Sequence, residues 1–213
     1  MKKKISLFLF MCTILTFTGM VHAQNITRTV NIVKQRTALT NSFRASYSPV
    51  FVENTATGYG SNVNAFSFEY VKMTSLTGYA PIYLEAGGGF SYAKGKMDAG
   101  DLKVELFSIN VPLNIGYRFN PSDNNFVFPY VGLNIRGNIA GEYLIDGYGH
   151  NVFKRHNILG VGKVLDHLQV GYAFGVNFSL DGFRLGVGYV KDFSNICHDT
   201  RISYGKITMG VNF

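Results

Sequence analysis

The sequence holds no tryptophan, two cysteines and only five prolines in 213 residues. One cysteine, Cys12, lies in the amino-terminal apolar run, which leaves Cys197 alone in the remainder. A lone cysteine forms no intramolecular disulfide and builds no cysteine-rich zinc site, so neither kind of staple holds this chain together. Five scattered prolines exclude collagen-like and polyproline architectures. Beyond residue 23 no apolar run approaches the ~20 residues of a membrane-crossing helix. Charge is sparse as well. The net charge of +7 includes Lys2, Lys3 and Lys4, and residues 1–23 hold no acid, so +7 less three leaves +4. That excess is too small to argue for nucleic acid, and no basic cluster is interleaved with aromatics.

What is present begins with those three lysines. They precede an apolar stretch from Ile5 to about Met20 that closes on Val21-His22-Ala23. A basic start, a short apolar core and a small-residue end describe a secretory signal peptide, with cleavage expected after Ala23 and a mature start at Gln24. A retained anchor fits less well, because Thr13, Thr16 and Thr18 break the run. Cys12 follows Phe10-Met11 rather than small residues, so a lipoprotein site is not expected. Residues 24–40 are polar and basic and are expected to form a periplasmic lead-in to a single domain over 41–213.

The clearest local signal is Leu168 to Asp192. Leu168, Val170, Tyr172, Phe174, Val176, Phe178 and Leu180 alternate with small or polar residues, Asp181-Gly182 offers a type I′ turn, and Phe183, Leu185, Val187 and Tyr189 alternate on the return. This is a β-hairpin pattern. Glycines so dense cost about 1 kcal/mol each inside a helix, which removes the main competitor. The same pattern recurs over 41–52, 62–73, 79–93, 102–119, 126–140 and 205–213, giving eight strands. The connections after the first, third, fifth and seventh are longer than those between, which predicts an antiparallel up-and-down transmembrane barrel with four longer extracellular loops. Pro112 and Pro129 fall inside strands, where a bulge or strand end is expected at each. Asp146-Gly147 allows a further hairpin above the membrane, or ten strands in place of eight.

Alternation by itself also suits a soluble lipocalin-like barrel. The sidedness decides: one face is large and apolar on every strand, and the other is Gly, Ala, Ser, Asn and charges. Eight strands enclose too little space for so many aromatics, so the large face is expected to meet lipid and the small face the lumen. Tyr47, Tyr70, Tyr117, Phe119, Phe183 and Tyr189 are expected in interfacial girdles.

The signal, the eight strands and the ending Ile207-Thr208-Met209-Gly210-Val211-Asn212-Phe213 resemble the small outer-membrane barrels of the OmpA-transmembrane and OmpX type. The pieces Glu85-Ala86-Gly87-Gly88-Gly89-Phe90, Val111-Pro112-Leu113-Asn114-Ile115-Gly116-Tyr117 and Pro129-Tyr130-Val131-Gly132-Leu133-Asn134 resemble the porin-like outer membrane protein β-barrel family of Bacteroidetes-type bacteria. The resemblance implies a Gram-negative outer-membrane location, contact with outer-membrane lipid and lipopolysaccharide, and recognition by the barrel-assembly machinery. It assigns the assembly signal to Phe213 with Ile207, Met209 and Val211.

Arg44, Arg118, Arg136, Arg184 and Lys206 share the inward face with Glu69, Glu85 and Asp192. These eight are expected to form a charge network filling a closed lumen, in preference to an ion passage, because unpaired buried ions cost several kcal/mol. His150, His156 and His167, with Asp146 and Asp166 near them, raise the idea of a lipid A-modifying enzyme, but no Ser-His-Asp set falls on strand positions that would meet. The histidines lack metal-ligand spacing. Cys197-His198-Asp199 are chain neighbours rather than a positioned pair, and no helix follows Gly87-Gly88-Gly89 to make a phosphate cradle. The expectation is a non-enzymatic barrel without cofactor or metal, presenting loops for adhesion, partner binding or envelope integrity. A lipid A enzyme and a narrow small-solute pore are the rivals.

Overall fold

The computed structural model describes residues 40–54, 60–77, 80–97, 102–120, 125–145, 148–154, 165–196 and 200–213. The signal-peptide and lead-in readings therefore lie outside the described residues, as do His156 and Cys197-His198-Asp199. Among the described residues there are nine strands: β1 Thr40–Asn54, β2 Gly60–Ser75, β3 Ile82–Met97, β4 Leu102–Tyr117, β5 Phe126–Ile145, β6 Tyr148–Asn151, β7 Leu168–Leu180, β8 Phe183–Asp192 and β9 Thr200–Asn212. All pairings are antiparallel. The order β4-β3-β2-β1-β9-β8-β7-β5 is closed by a β4–β5 ladder, which makes an eight-stranded transmembrane barrel. The β6 strand stands outside the ring and pairs with β5 above the level where β7 has left it. It is the further hairpin, and the ten-stranded alternative is settled against.

The period-two pattern places the side chains. Phe66, Phe68, Phe90, Ile109, Val131, Phe174, Leu185, Val187, Ile207 and Met209 project from the barrel and are exposed, whereas the residues between them point into it. So continuous an exposed apolar belt is tolerated only against lipid. Polar ends mark its limits. On the upper side the hydroxyls of Tyr47 and Tyr92 donate to Asn64 (2.7 Å) and Glu105 (2.8 Å). On the lower side Tyr70 donates to Asn41 (3.0 Å) and packs on Phe43, which also stacks on Phe213.

Three features differ from the sequence reading. First, β1, β2, β3 and β5 run past the expected ends, and β9 starts at Thr200 rather than 205. The connections 55–59 and 98–101 are consequently short, and only 146–167 is a long one. Residues read as polar loop continue the ladders above the belt, because water solvates a polar strand face as well as it solvates a loop. Second, Pro112 and Pro129 cause neither a bulge nor a strand end. The β3–β4 register is the same on both sides of the Gly87-Gly88/Val111-Pro112 gap, and Pro129 stays paired with Val176. The missing donor is met by a lapse in one ladder, without a shift. Third, the bulge lies between Phe107 and Ser108 opposite Asn138–Ala140. It reverses the alternation, so Gly141 rather than Ala140 is buried.

The β7–β8 turn shows why that signal was so readable. Asp181 (φ 47°) and Gly182 (φ 87°) both occupy the left-handed region that a two-residue turn of this kind requires.

Candidate functional site

The inward face of the middle strands carries the charges. Glu85 on β3 receives Arg44 of β1 at 2.9 Å and also bonds Arg184 of β8. Glu69 on β2 is 3.6 Å from Arg44 and accepts from Lys206 of β9. Asn114 donates to Glu85 at 3.1 Å, and Arg184 reaches Ser42 Oγ at 3.3 Å. Five ionised side chains from five strands thus share one interior layer. The narrow barrel makes this possible: glycines such as Gly175, Gly188 and Gly210 leave the wall bare of side chains at this level, so long side chains, Tyr130 among them, fill the centre.

Arg136 and Asp192 form a separate pair higher in the barrel, 2.5 Å apart, with Gln169 accepting from Arg136 Nε at 2.8 Å. The Arg136 guanidinium also lies 5.7 Å from the centre of the Tyr204 ring, whose hydroxyl accepts from Asn134 at 2.9 Å. Arg118 departs from the expected network. It sits at the lower rim over the Phe126 ring (4.1 Å), donating to Asn120 (2.8 Å) and Thr40 (3.3 Å), and no carboxylate pairs with it among the described residues. Position 118 lies past the end of β4, below the level of the acids, so an aromatic face takes the place of a counter-ion.

Apolar residues close both ends of this polar interior. Below lie Met73, Tyr83, Phe126 and Phe128. Above lie Val50, Val63, Leu106, Val190 and Ile202 from the strand tops, joined by Val152, Leu165 and Ile196 from the connections. Backbone bonds fasten these three connection residues: Val152 N–H to Gly141, Leu165 N–H to Val152, and Asp166 N–H to the Ile196 carbonyl. The upper plug was not read from the sequence. Its signal was there, in an inward set that changes from Ser, Asn and Arg to Val, Leu and Ile at the strand tops. Val50, Val63, Leu106 and Val190 lay within the expected strands, whereas Ile202, Val152, Leu165 and Ile196 fell in segments read as connections.

His167 is held in place: its Nδ1 lies 3.0 Å from the Asn138 carbonyl oxygen, and its ring stacks on Phe153 at 4.1 Å. No group of three metal-ligating side chains occurs among the described residues. Outside the lipid belt, Lys94 and Glu105 pair at 2.6 Å across β3 and β4. The Lys94 ammonium, followed by the Tyr92 hydroxyl, holds the Glu105 carboxyl below the usual carboxylate range. The β5–β6 hairpin rises beside this pair and displays Tyr148, which is 75% exposed. Ile207, Met209, Val211 and Phe213 all project outward on β9 and its last residue, each about half exposed or more.

No protein-family model and no curated protein matches the sequence. Solved structures do. Ail, the attachment invasion locus protein of Yersinia pestis, is similar at 13% identity over 82% of this chain and 99% of that chain, with a TM-score of 0.50. Ail in complex with the heparin analogue sucrose octasulfate is similar at 12% identity over 82% and 99%, with a TM-score of 0.49. Neisserial surface protein A is similar at 15% identity over 81% and 95%, with a TM-score of 0.48. The likeness is one of fold, that of the eight-stranded OmpX-like outer-membrane barrels.

Proposed function

We propose that this chain is a non-enzymatic outer-membrane protein in which a sealed barrel anchors a partner-binding outer end, with adhesion as its role. The observation that carries the reading is the pairing of a plugged lumen with a protruding hairpin. A barrel closed by apolar side chains above and below is suited to anchoring rather than transport. The β5–β6 hairpin, with Tyr148 exposed and β6 paired only to β5 among the described residues, offers an aromatic anchor and a strand edge. Such edges bind extended segments through backbone hydrogen bonds, and exposed tyrosines make good contact anchors. Ail, named for attachment, shares the barrel plan. In this proposal the mature chain begins at Gln24, lies among outer-membrane lipid and lipopolysaccharide, and is inserted by the barrel-assembly machinery through the Phe213 end.

The test replaces residues 142–151 with a short turn and compares cells expressing either form in a Gram-negative host lacking other adhesins. Adherence to protein-coated surfaces should fall at equal surface levels, with lipid A unchanged by mass spectrometry. Undiminished adherence, or an altered lipid A that depends on His167, would overturn the proposal.

A further inference from the structure

The interior charges do not balance. Arg44, Arg184 and Lys206 share one network with Glu69 and Glu85, three cations to two carboxylates. Both arginines and both acids are buried, and the Lys206 side chain is only 14% exposed. Neighbouring groups do not supply the missing anion. Asp192 is taken by Arg136, and Arg118 adds a further positive charge at the lower rim. An uncompensated cation shut away from water costs several kcal/mol, and the apolar plugs keep bulk counter-ions at a distance.

The two arginines also hold unused donors. Arg44 spends its terminal nitrogens on Glu85 and Glu69, and Arg184 spends its own on Glu85 and Ser42. The buried Nε–H of each has no acceptor among the described residues. The register sets the two on either side of one residue: Gly210 on β9 pairs with Arg44 on β1 and with Arg184 on β8. Gly210 lets the strands and the Arg44 stem close up there, since a Cβ would lie 2.3 Å from the Phe43 carbonyl oxygen and 3.0 Å from Arg44 Cγ. Excess positive charge and two idle guanidinium donors coincide in one row.

We propose that the lumen holds a small monovalent anion of the halide class at the buried Nε–H of Arg44 or Arg184. One negative charge neutralises the network, whereas a dianion such as sulfate would overshoot it. A halide accepts from N–H groups without a fixed direction, which suits two donors on different strands.

The experiment uses the full barrel in detergent, with bromide and chloride as probes. Crystals grown in bromide should show an anomalous peak within hydrogen-bond reach of the Nε of Arg44 or Arg184; a lumen free of bromide overturns the proposal. In solution, chloride should protect against heat unfolding more than gluconate at equal ionic strength. Above the dissociation constant, each tenfold rise in chloride should raise the folding equilibrium constant about tenfold. Lys206→Met leaves two cations and two acids, so the chloride dependence should vanish, and its full persistence overturns the proposal. Lys206→Gln makes the same charge change if the methionine variant does not assemble, and the bromide crystal of the unaltered protein decides independently of both.

Discussion

Glu85 and Arg184 bond each other across the full width of the barrel. Their strands, β3 and β8, stand four places apart in the eight-stranded ring whichever way it is counted, and both side chains are fully buried. A contact on that diameter exists only because the ring is narrow enough for two long side chains to span it. Since Arg44 also reaches Glu85, one carboxylate ties three strands together.

Glu85→Gln should therefore be costly. It leaves two arginines buried against a neutral amide, and the loss expected on removing one partner of a buried pair is about 3–5 kcal/mol. The double variant Glu85→Gln/Arg184→Met should lose less than the single changes added together. Reversible urea unfolding in lipid vesicles would measure both, and strict additivity would show that the contact is not an energetic unit.

Neighbouring positions on β7 should respond in opposite ways. Phe174 projects to lipid, 48% exposed, and arginine there should cost about 2–4 kcal/mol if the site lies at midplane depth. Gly175 faces the lumen, where a Cβ would come within 2.4 Å of the Val187 carbonyl oxygen and 2.7 Å of the Tyr130 hydroxyl. Gly175→Ala should then cost roughly 1–3 kcal/mol through overpacking. Single cysteines in a Cys197→Ser background give a cleaner readout: lipid-soluble quenchers should reach a label at 174 and miss one at 175.

Phe213 joins the ends of the ring. Its backbone exchanges hydrogen bonds with Asn41 at 2.9 and 3.2 Å, and its ring stacks on Phe43 at 5.4 Å. Phe213→Ser keeps the backbone pairing and removes the ring. The variant should accumulate in the periplasm and lose heat-modifiable migration in gels; outer-membrane levels equal to those of the unaltered chain would count against an assembly role.

The Lys94–Glu105 pair gives a pH signature. The folded Glu105 carboxyl titrates below its ordinary value, so its small contribution is present above that ordinary value and is lost as pH falls through the lowered one. Lys94→Met should move the Glu105 titration upward in NMR. An unchanged midpoint would mean that the ammonium has no hold on it.

Architecture and sidedness are legible in the residues alone. Strict alternation from Leu168 to Leu180 and from Ile207 to Phe213 admits only a strand, and a large apolar face on every strand has only lipid to meet. Hairpin chemistry is local, so Asp181-Gly182 was legible from two residues. Which charges meet is a property of the closed ring. Glu85 and Arg184, or Glu69 and Lys206, are joined by ring closure and stagger, quantities that belong to all eight strands together and to no single segment. Arg118 shares the parity of the lumen charges, but its height along the axis puts it over Phe126 and away from the acids. The upper plug was out of reach for the same reason. Val152, Leu165 and Ile196 come from two separate connections, and nothing in their local sequence says that they fill one barrel mouth.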